Sequence, residues 1–287
     1  MERPLIDWEA LRALTMPPPS PLPGTDGPRP RGYGAWDNQA EFYDRIAKLE
    51  AGFTLNQINC FDTAPTDTVL DLGCGPGRIT VPMAARSARV TAMDSSPKML
   101  EKCAANAAAA GRENVDTLLL DWNEVEPGVN LQKHDIVICS RSAALGDIEK
   151  MTQLANKYVV NIIWSHGFPS IPAIIARLFA GTGEEMRAGP PMNRDRRLGN
   201  NVFYNIIYDK GYEPNLRVVE DGFTKDYPSR QAAYDDLRTL RPAFPEDKLP
   251  VFQANVDAFL TDLPGGGVKF LAPTRSLVLW WSPHREE

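Results

Sequence analysis

The chain has 287 residues, 43% of them hydrophobic and 24% charged, the proportions of an ordinary globular protein. No apolar run approaches the roughly 20 residues that span a bilayer, so a membrane bundle is excluded, as are a disordered chain and a collagen-like repeat. Lys plus Arg number 31 against 37 Asp plus Glu, a net charge of −6 with a pI near 5.3. Such a chain lacks the basic footprint that drives non-specific binding to nucleic acid or anionic membranes. Its four cysteines (Cys60, Cys74, Cys103, Cys139) form no CxxC pair. With only three histidines (His134, His166, His284), no metal centre is expected. The opening MERPLIDWEALRAL has no basic region before an apolar core and no small-residue cleavage site, which points to a cytoplasmic protein.

In chain order, residues 1–16 suit a short amphipathic helix carrying Leu5, Trp8, Leu11 and Leu14. Seven prolines then fall between Pro17 and Pro30. Proline lacks the N–H and fixes φ, so residues 1–35 divide into a helix and an extended connector. A main domain over 36–287 follows. From 36 to 61 the periodicity is helical, with Phe42, Ile46, Leu49 and Phe53 on one face. Short apolar runs then alternate with helical stretches, the pattern of βαβ units and a parallel sheet. Strands are expected over 68–72, 89–93, 116–120, 135–139 and 158–163. The clearest helix lies between the second and third, with Ser96 as its cap, Pro97 at the first helical position and Gly111 beyond its end. After the fifth strand the alternation loosens. Helices are expected over 172–180, 198–210, 229–240 and 246–262, and strands over 216–219 and 277–281. Segments 167–200 and 224–264 read as inserts on the substrate side, the first as a lid.

The segment that carries chemistry is VLDLGCGPGR from Val69. A hydrophobic strand ends in Asp71 and runs into Gly73-x-Gly75-x-Gly77, where glycines let the backbone approach a nucleotide and aim N–H groups at it. Arg78 stands where a dinucleotide fingerprint needs its third glycine. Asp71 would repel a pyrophosphate but attract an amino group, so the loop suits S-adenosylmethionine better than NAD. Asp94 follows Asp71 by 23 residues, near the interval at which an acid meets ribose hydroxyls. The third strand brings Asp121 and Trp122 to its C-terminal end, suited to an adenine amine and ring. In an open α/β sheet ligands sit at that edge, so the three acids converge on one crevice.

Taken in order, VLDLGCGPGR, AMD, LLDW and DIVICS resemble the class I S-adenosylmethionine-dependent methyltransferases over about 36–164. The resemblance implies a Rossmann-like α/β fold: a seven-stranded, mostly parallel sheet with its last strand antiparallel, helices on both faces and helical inserts. It implies cofactor contacts from Asp71, Gly73, Cys74, Gly75, Asp94, Ser95, Met99, Asp121, Trp122 and Ser140. Of these, Asp71 and the glycines would hold the methionine moiety, Asp94 the ribose, Asp121 and Trp122 the adenine, and Ser140 would lie beside the methyl group. S-adenosylhomocysteine would be the product. The fourth strand ends in CSRSAALG, not in the Asn/Asp-Pro-Pro-aromatic signature of exocyclic-amine methylation. Nor is there a clustered acid set of the metal-dependent catechol type.

The expected activity is methyl transfer to a small-molecule acceptor by direct displacement, without metal. Alternatives are a protein or RNA methyltransferase, or a catalytically silent S-adenosylmethionine-binding regulatory module. If the acceptor is a hydroxyl or thiol, His166 is the first candidate for a base. Tyr33, Trp36, Arg141 and Tyr204 are candidates for the acceptor pocket. The run Arg194-Asp195-Arg196-Arg197 reads first as a solvated loop, and Cys74 and Cys139 as packing residues. Neither a membrane nor a nucleic-acid partner is expected, and the assembly is read as a monomer or homodimer.

Overall fold

Five apolar runs joined by helices form the centre of the sheet in a computed structural model that describes residues 5–15, 32–184, 198–241 and 243–284. Strands β1 (Thr68–Leu72), β2 (Arg89–Asp94), β3 (Val115–Leu119), β4 (His134–Ser140) and β5 (Ala155–Trp164) are mutually parallel. They are followed by β6 (Asn215–Tyr227), β7 (Leu260–Asp262) and β8 (Val268–Trp281). The strand order is β3-β2-β1-β4-β5-β8-β6, with β8 antiparallel to both neighbours and the short β7 added on β8. The seven-strand order is therefore present in full, with an eighth strand of three residues.

The helices are α1 (Trp8–Thr15), α2 (Ala40–Ile58), α3 (Thr80–Ala84), α4 (Pro97–Ala109), α5 (Ile148–Gln153), α6 (Ile171–Leu178), α7 (Asn201–Asp209), α8 (Arg230–Arg238) and α9 (Leu249–Asp257). The odd-numbered residues Val137, Cys139 and Val159 bury one sheet face against α5 and α7, through Met151, Ile148, Phe203 and Ile206. Trp8 and Leu11 of α1 pack onto the edge of that cluster. The alternating partners Ile136, Ile138, Val160 and Ile162 meet Ile58 of α2 and Met83 of α3 on the opposite face. The α4 start follows from its sequence: the Ser96 hydroxyl accepts from Met99 N at 3.2 Å, with Pro97 in the first turn.

Two expectations change beyond β5. The helix expected over 246–262 stops at Asp257, and Leu260–Asp262 join the sheet because Leu260 pairs with Phe270 and Leu271 N donates to Phe259 O. The strands expected over 216–219 and 277–281 are much longer. Trp164, the last residue of β5, pairs with Ser276, so residues 268–275 and their β6 partners 220–227 continue past the C-terminal edge of the parallel strands. This extension carries its own core, in which Phe223 and Phe270 meet Ile174 and Phe179 of the α6 region and Phe252 of α9. Residues of both expected inserts join this cluster, and we refer to the extension as the cap. The Pro17–Pro30 connector and the Arg194–Arg197 run lie outside the described residues, as does the middle of the expected lid.

Candidate functional site

The C-terminal ends of β1, β2 and β4 meet at the glycine loop, the edge of an open α/β sheet where a ligand crevice is expected. Gly73 N and Cys74 N both donate to Met93 O, at 2.8 and 3.0 Å, binding the loop to β2. Gly73, Gly75 and Gly77 have φ of 66°, 54° and 91°, a region open to glycine. At Gly73 a Cβ would lie 2.5 Å from Ser142 Cβ, so β1 and β4 approach as closely as the chain allows. The Ser142 hydroxyl donates to Leu72 O at 2.6 Å and locks that approach. At Gly75 nothing lies nearer to such a Cβ than Met99 Sδ at 4.0 Å, leaving its backbone approachable. Asp71 is placed beneath the loop, 1% exposed, accepting from Thr80 Oγ1 at 2.7 Å. Burial pushes its carboxyl up to about 6. It braces the loop from below and does not line the crevice as the resemblance implies. Burial also raises the Cys74 thiol, and lifts that of Cys139 to about 12, which suits packing and not nucleophilic chemistry.

At the β2 end, the Asp94 carboxylate accepts from Gly75 N and Ser96 N, both at 2.9 Å. Burial raises its pKa, while these N–H groups pull it down. Each oxygen keeps lone pairs for further donors. Over this acid lies a strap from the N-terminal side. Gly34 N donates to Ser95 O at 2.9 Å, and Ser96 Oγ donates to Asp37 Oδ1 at 2.5 Å. Tyr33 Oη donates to Glu124 at 2.7 Å and accepts from Asp121 N at 3.4 Å. Tyr33, expected at the acceptor pocket, is thus held beyond the end of β3, while its neighbours Gly34 and Asp37 hold to the end of β2. Asp121 accepts from Asn123 N at 2.8 Å and caps the short turn that follows. Trp122 turns into the core among Leu70, Leu72 and Met93, with Lys150 Nζ 4.5 Å from its ring centre. Its indole is therefore a core group, a correction to the expected cover for adenine.

At the ends of β4 and β5 the side chains are polar and buried. Ser140 Oγ accepts from Arg78 at 2.5 Å, and Arg78 also donates to Gln57 Oε1 at 2.8 Å. Arg141 donates to Glu50 and Asp221, and at 2.8 Å to Ser276 Oγ. Burial pulls the Arg141 guanidinium down, but Glu50 and Asp221 outweigh it and hold it above its ordinary value. Two arginines and two acids thus form a neutral network joining α2, the glycine loop, β4, β6 and β8. Among the described residues, Arg141 Nε, Trp164 Nε1 and His166 Nε2 are buried without a hydrogen-bond partner. The His166 backbone N–H donates to Asn200 Oδ1 at 2.8 Å, tying the end of β5 to the start of α7. Tyr204 stacks on Tyr208 along α7, and Trp36 meets Tyr43 edge-on at 6.0 Å, so both act in helix packing. Sequence reasoning missed Asp37, Glu50, Gln57, Asp221 and Ser142. The polar residues Glu50, Thr54 and Gln57 at helical spacing on α2 were the one available signal.

Residues 69–160 match the family model described as a methyltransferase domain. Over 208 residues the chain is 25% identical to an uncharacterized protein of Haemophilus influenzae, covering 70% of this chain and 71% of that one. Over 120 residues it is 34% identical to 23S rRNA (uracil(1939)-C(5))-methyltransferase RlmD of Klebsiella pneumoniae, which spans 40% of this chain but only 26% of that enzyme. It is similar in structure to a SAM-dependent methyltransferase from Aquifex aeolicus, with 19% identity and a TM-score of 0.44, over 65% of this chain and 93% of that one. The strand order, the glycine loop and the family match together define a Rossmann-like α/β methyltransferase domain. Over residues 69–160 the match supports an S-adenosylmethionine-dependent methyltransferase enzyme, in keeping with the resemblance of the glycine loop and the acids that follow it.

S-adenosylmethionine is accordingly the cofactor, and the crevice residues fit it. The approachable Gly75 backbone suits its close docking, and the raised Asp94 carboxylate suits donors from a ribose diol. Among the described residues no helix is long and apolar enough to cross a membrane, and no group of three His, Cys, Asp or Glu is placed to hold a metal ion.

Proposed function

We propose that the enzyme methylates a small-molecule acceptor enclosed between the cofactor crevice and the cap. The observation that carries this reading is the continuation of β6 and β8 past Trp164, with a closed apolar core of their own. A long polymer acceptor would need an open, basic approach, and the chain is acidic. S-adenosylmethionine, when bound, supplies an activated methyl group and departs as a neutral thioether.

The chain's part is to hold, orient and exclude water. In this reading Asp94 accepts from the ribose hydroxyls, and Gly73 and Gly75 present backbone to the methionine end. Tyr33 and Asp37 fasten a strap across the adenosine end, with Asp121 and Ser95 beneath it. Ser140, kept in place by Arg78, borders the transfer point. His166 has a buried, unpartnered Nε2 at the end of β5, and serves as the base when the acceptor is a hydroxyl or thiol. The reading includes a cytoplasmic location and no metal requirement.

Methyl-labelled S-adenosylmethionine, incubated with the enzyme and either a small-metabolite extract or ribosomal RNA, tests the assignment. Label is expected in a small molecule. Label in RNA alone would replace this reading with the RNA-methylating one.

A further inference from the structure

Arg141 is the one described non-glycine residue with a left-handed backbone, at φ 54°. An L-residue with its Cβ is strained there, and such strain persists where the surroundings impose it. The imposing contacts are visible. Glu50, Asp221 and Ser276 grip the two terminal nitrogens of the guanidinium. The plane is held 5.3 Å from the centre of the Trp164 ring. What this leaves over is specific: the Arg141 Nε–H and the Trp164 Nε1–H are both buried, and neither has an acceptor among the described residues. Ser140 Oγ adds a third donor, because it accepts from Arg78 and keeps its own proton to give. All three lie at the ends of β4 and β5, at the foot of the cap.

Buried donors are almost always satisfied, and an orphan costs free energy until something fills it. The Arg141 Nε–H, the Trp164 Nε1–H and the Ser140 hydroxyl call for a ligand that brings acceptor oxygens. The four charges around them, Arg78 and Arg141 against Glu50 and Asp221, already cancel. An entering anion would find the Arg141 Nε–H still free, because the terminal nitrogens of that guanidinium already hold Glu50, Asp221 and Ser276. We propose that Arg141 and Trp164 anchor a carboxylate of the methyl acceptor. This rests on the small-molecule reading above and narrows it: the substrate is a small carboxylic acid. The held oxygens serve as the anchor, since donation into strong hydrogen bonds lowers their nucleophilicity, and the atom that is methylated lies elsewhere on the molecule. A carboxylate bound by charge-assisted N–H donors gains more than the matching amide.

The test uses the full chain saturated with S-adenosylhomocysteine and titrated by calorimetry with benzoate, 4-hydroxybenzoate and hexanoate, each beside its primary amide. At least one acid is expected to bind about tenfold more tightly than its amide. Trp164→Phe keeps the ring under the guanidinium and removes only the N–H. It should weaken that acid about tenfold while leaving the S-adenosylhomocysteine affinity unchanged. In wild type the indole N–H resonance of Trp164 should move when the acid binds. Equal binding of acids and amides, binding by no acid, or an unchanged acid affinity in Trp164→Phe would overturn the proposal. If S-adenosylhomocysteine binds and the acids do not, the anchor alone fails. If it does not bind at all, the cofactor site fails with it.

Discussion

Replacing Asp71 by asparagine tests whether this acid is a desolvated brace beneath the glycine loop. With 1% of its surface exposed, Asp71 has its carboxyl pushed by burial from an ordinary 3.8 up to about 6, against the pull of Thr80 and Arg78. Between those values the folded protein keeps a proton that the unfolded chain has released. Stability therefore falls as pH rises through this window. Above it both states are ionised, and the buried carboxylate costs about 3 kcal/mol, at about 1.4 kcal/mol per tenfold in proton affinity. A side-chain amide does not titrate, so Asp71→Asn abolishes this dependence. Urea unfolding of the ligand-free protein gives the stability difference between variant and wild type at each pH. That difference should favour the variant by roughly 1.5 kcal/mol more at about pH 8 than at about pH 5. Any pH-independent cost of fitting an amide against Thr80 cancels in the comparison. The same difference at both pH values would refute the reasoning.

Gly73→Ala places a Cβ 2.5 Å from Ser142 Cβ on a backbone at φ 66°. It should lose about 1–2 kcal/mol from the backbone alone, more from the displaced Ser142, and weaken S-adenosylhomocysteine binding. Unchanged denaturation and binding would contradict the close approach of β1 and β4. Glu50→Ala leaves Arg141 and Arg78 short of a buried partner and should cost about 3–5 kcal/mol, read as a lower melting temperature. A loss below about 1 kcal/mol, the scale of an exposed ion pair, would mean the network is solvated.

The parallel half of the sheet is legible in the sequence because its strands are buried on both faces and read as unbroken apolar runs, such as Ile136–Cys139. The crevice is legible because glycines and acids fall at strand ends. The cap is not. In β6 the stretch from Glu220 to Tyr227 alternates charged residues with Phe223 and Tyr227, and only pairing with β8 makes it a strand. Leu260–Asp262 follows a helical run without a break, and its partner is fixed by tertiary contact. The Arg141 network is equally hidden, because Glu50 and Asp221 lie 91 and 80 residues away in sequence. Trp122 looked like a ligand cover from its place after Asp121. The choice between core and crevice depends on side-chain direction, which spacing does not carry.

The central claim is that the crevice closed by Asp94 and the glycine loop holds S-adenosylmethionine. Calorimetry with S-adenosylhomocysteine on wild type and Asp94→Ala tests it most directly. The account predicts one site per chain, with affinity reduced roughly 30- to 1,000-fold in the variant, the loss of two hydrogen bonds to a carboxylate. No binding to wild type, or equal affinity in the two proteins, would contradict it.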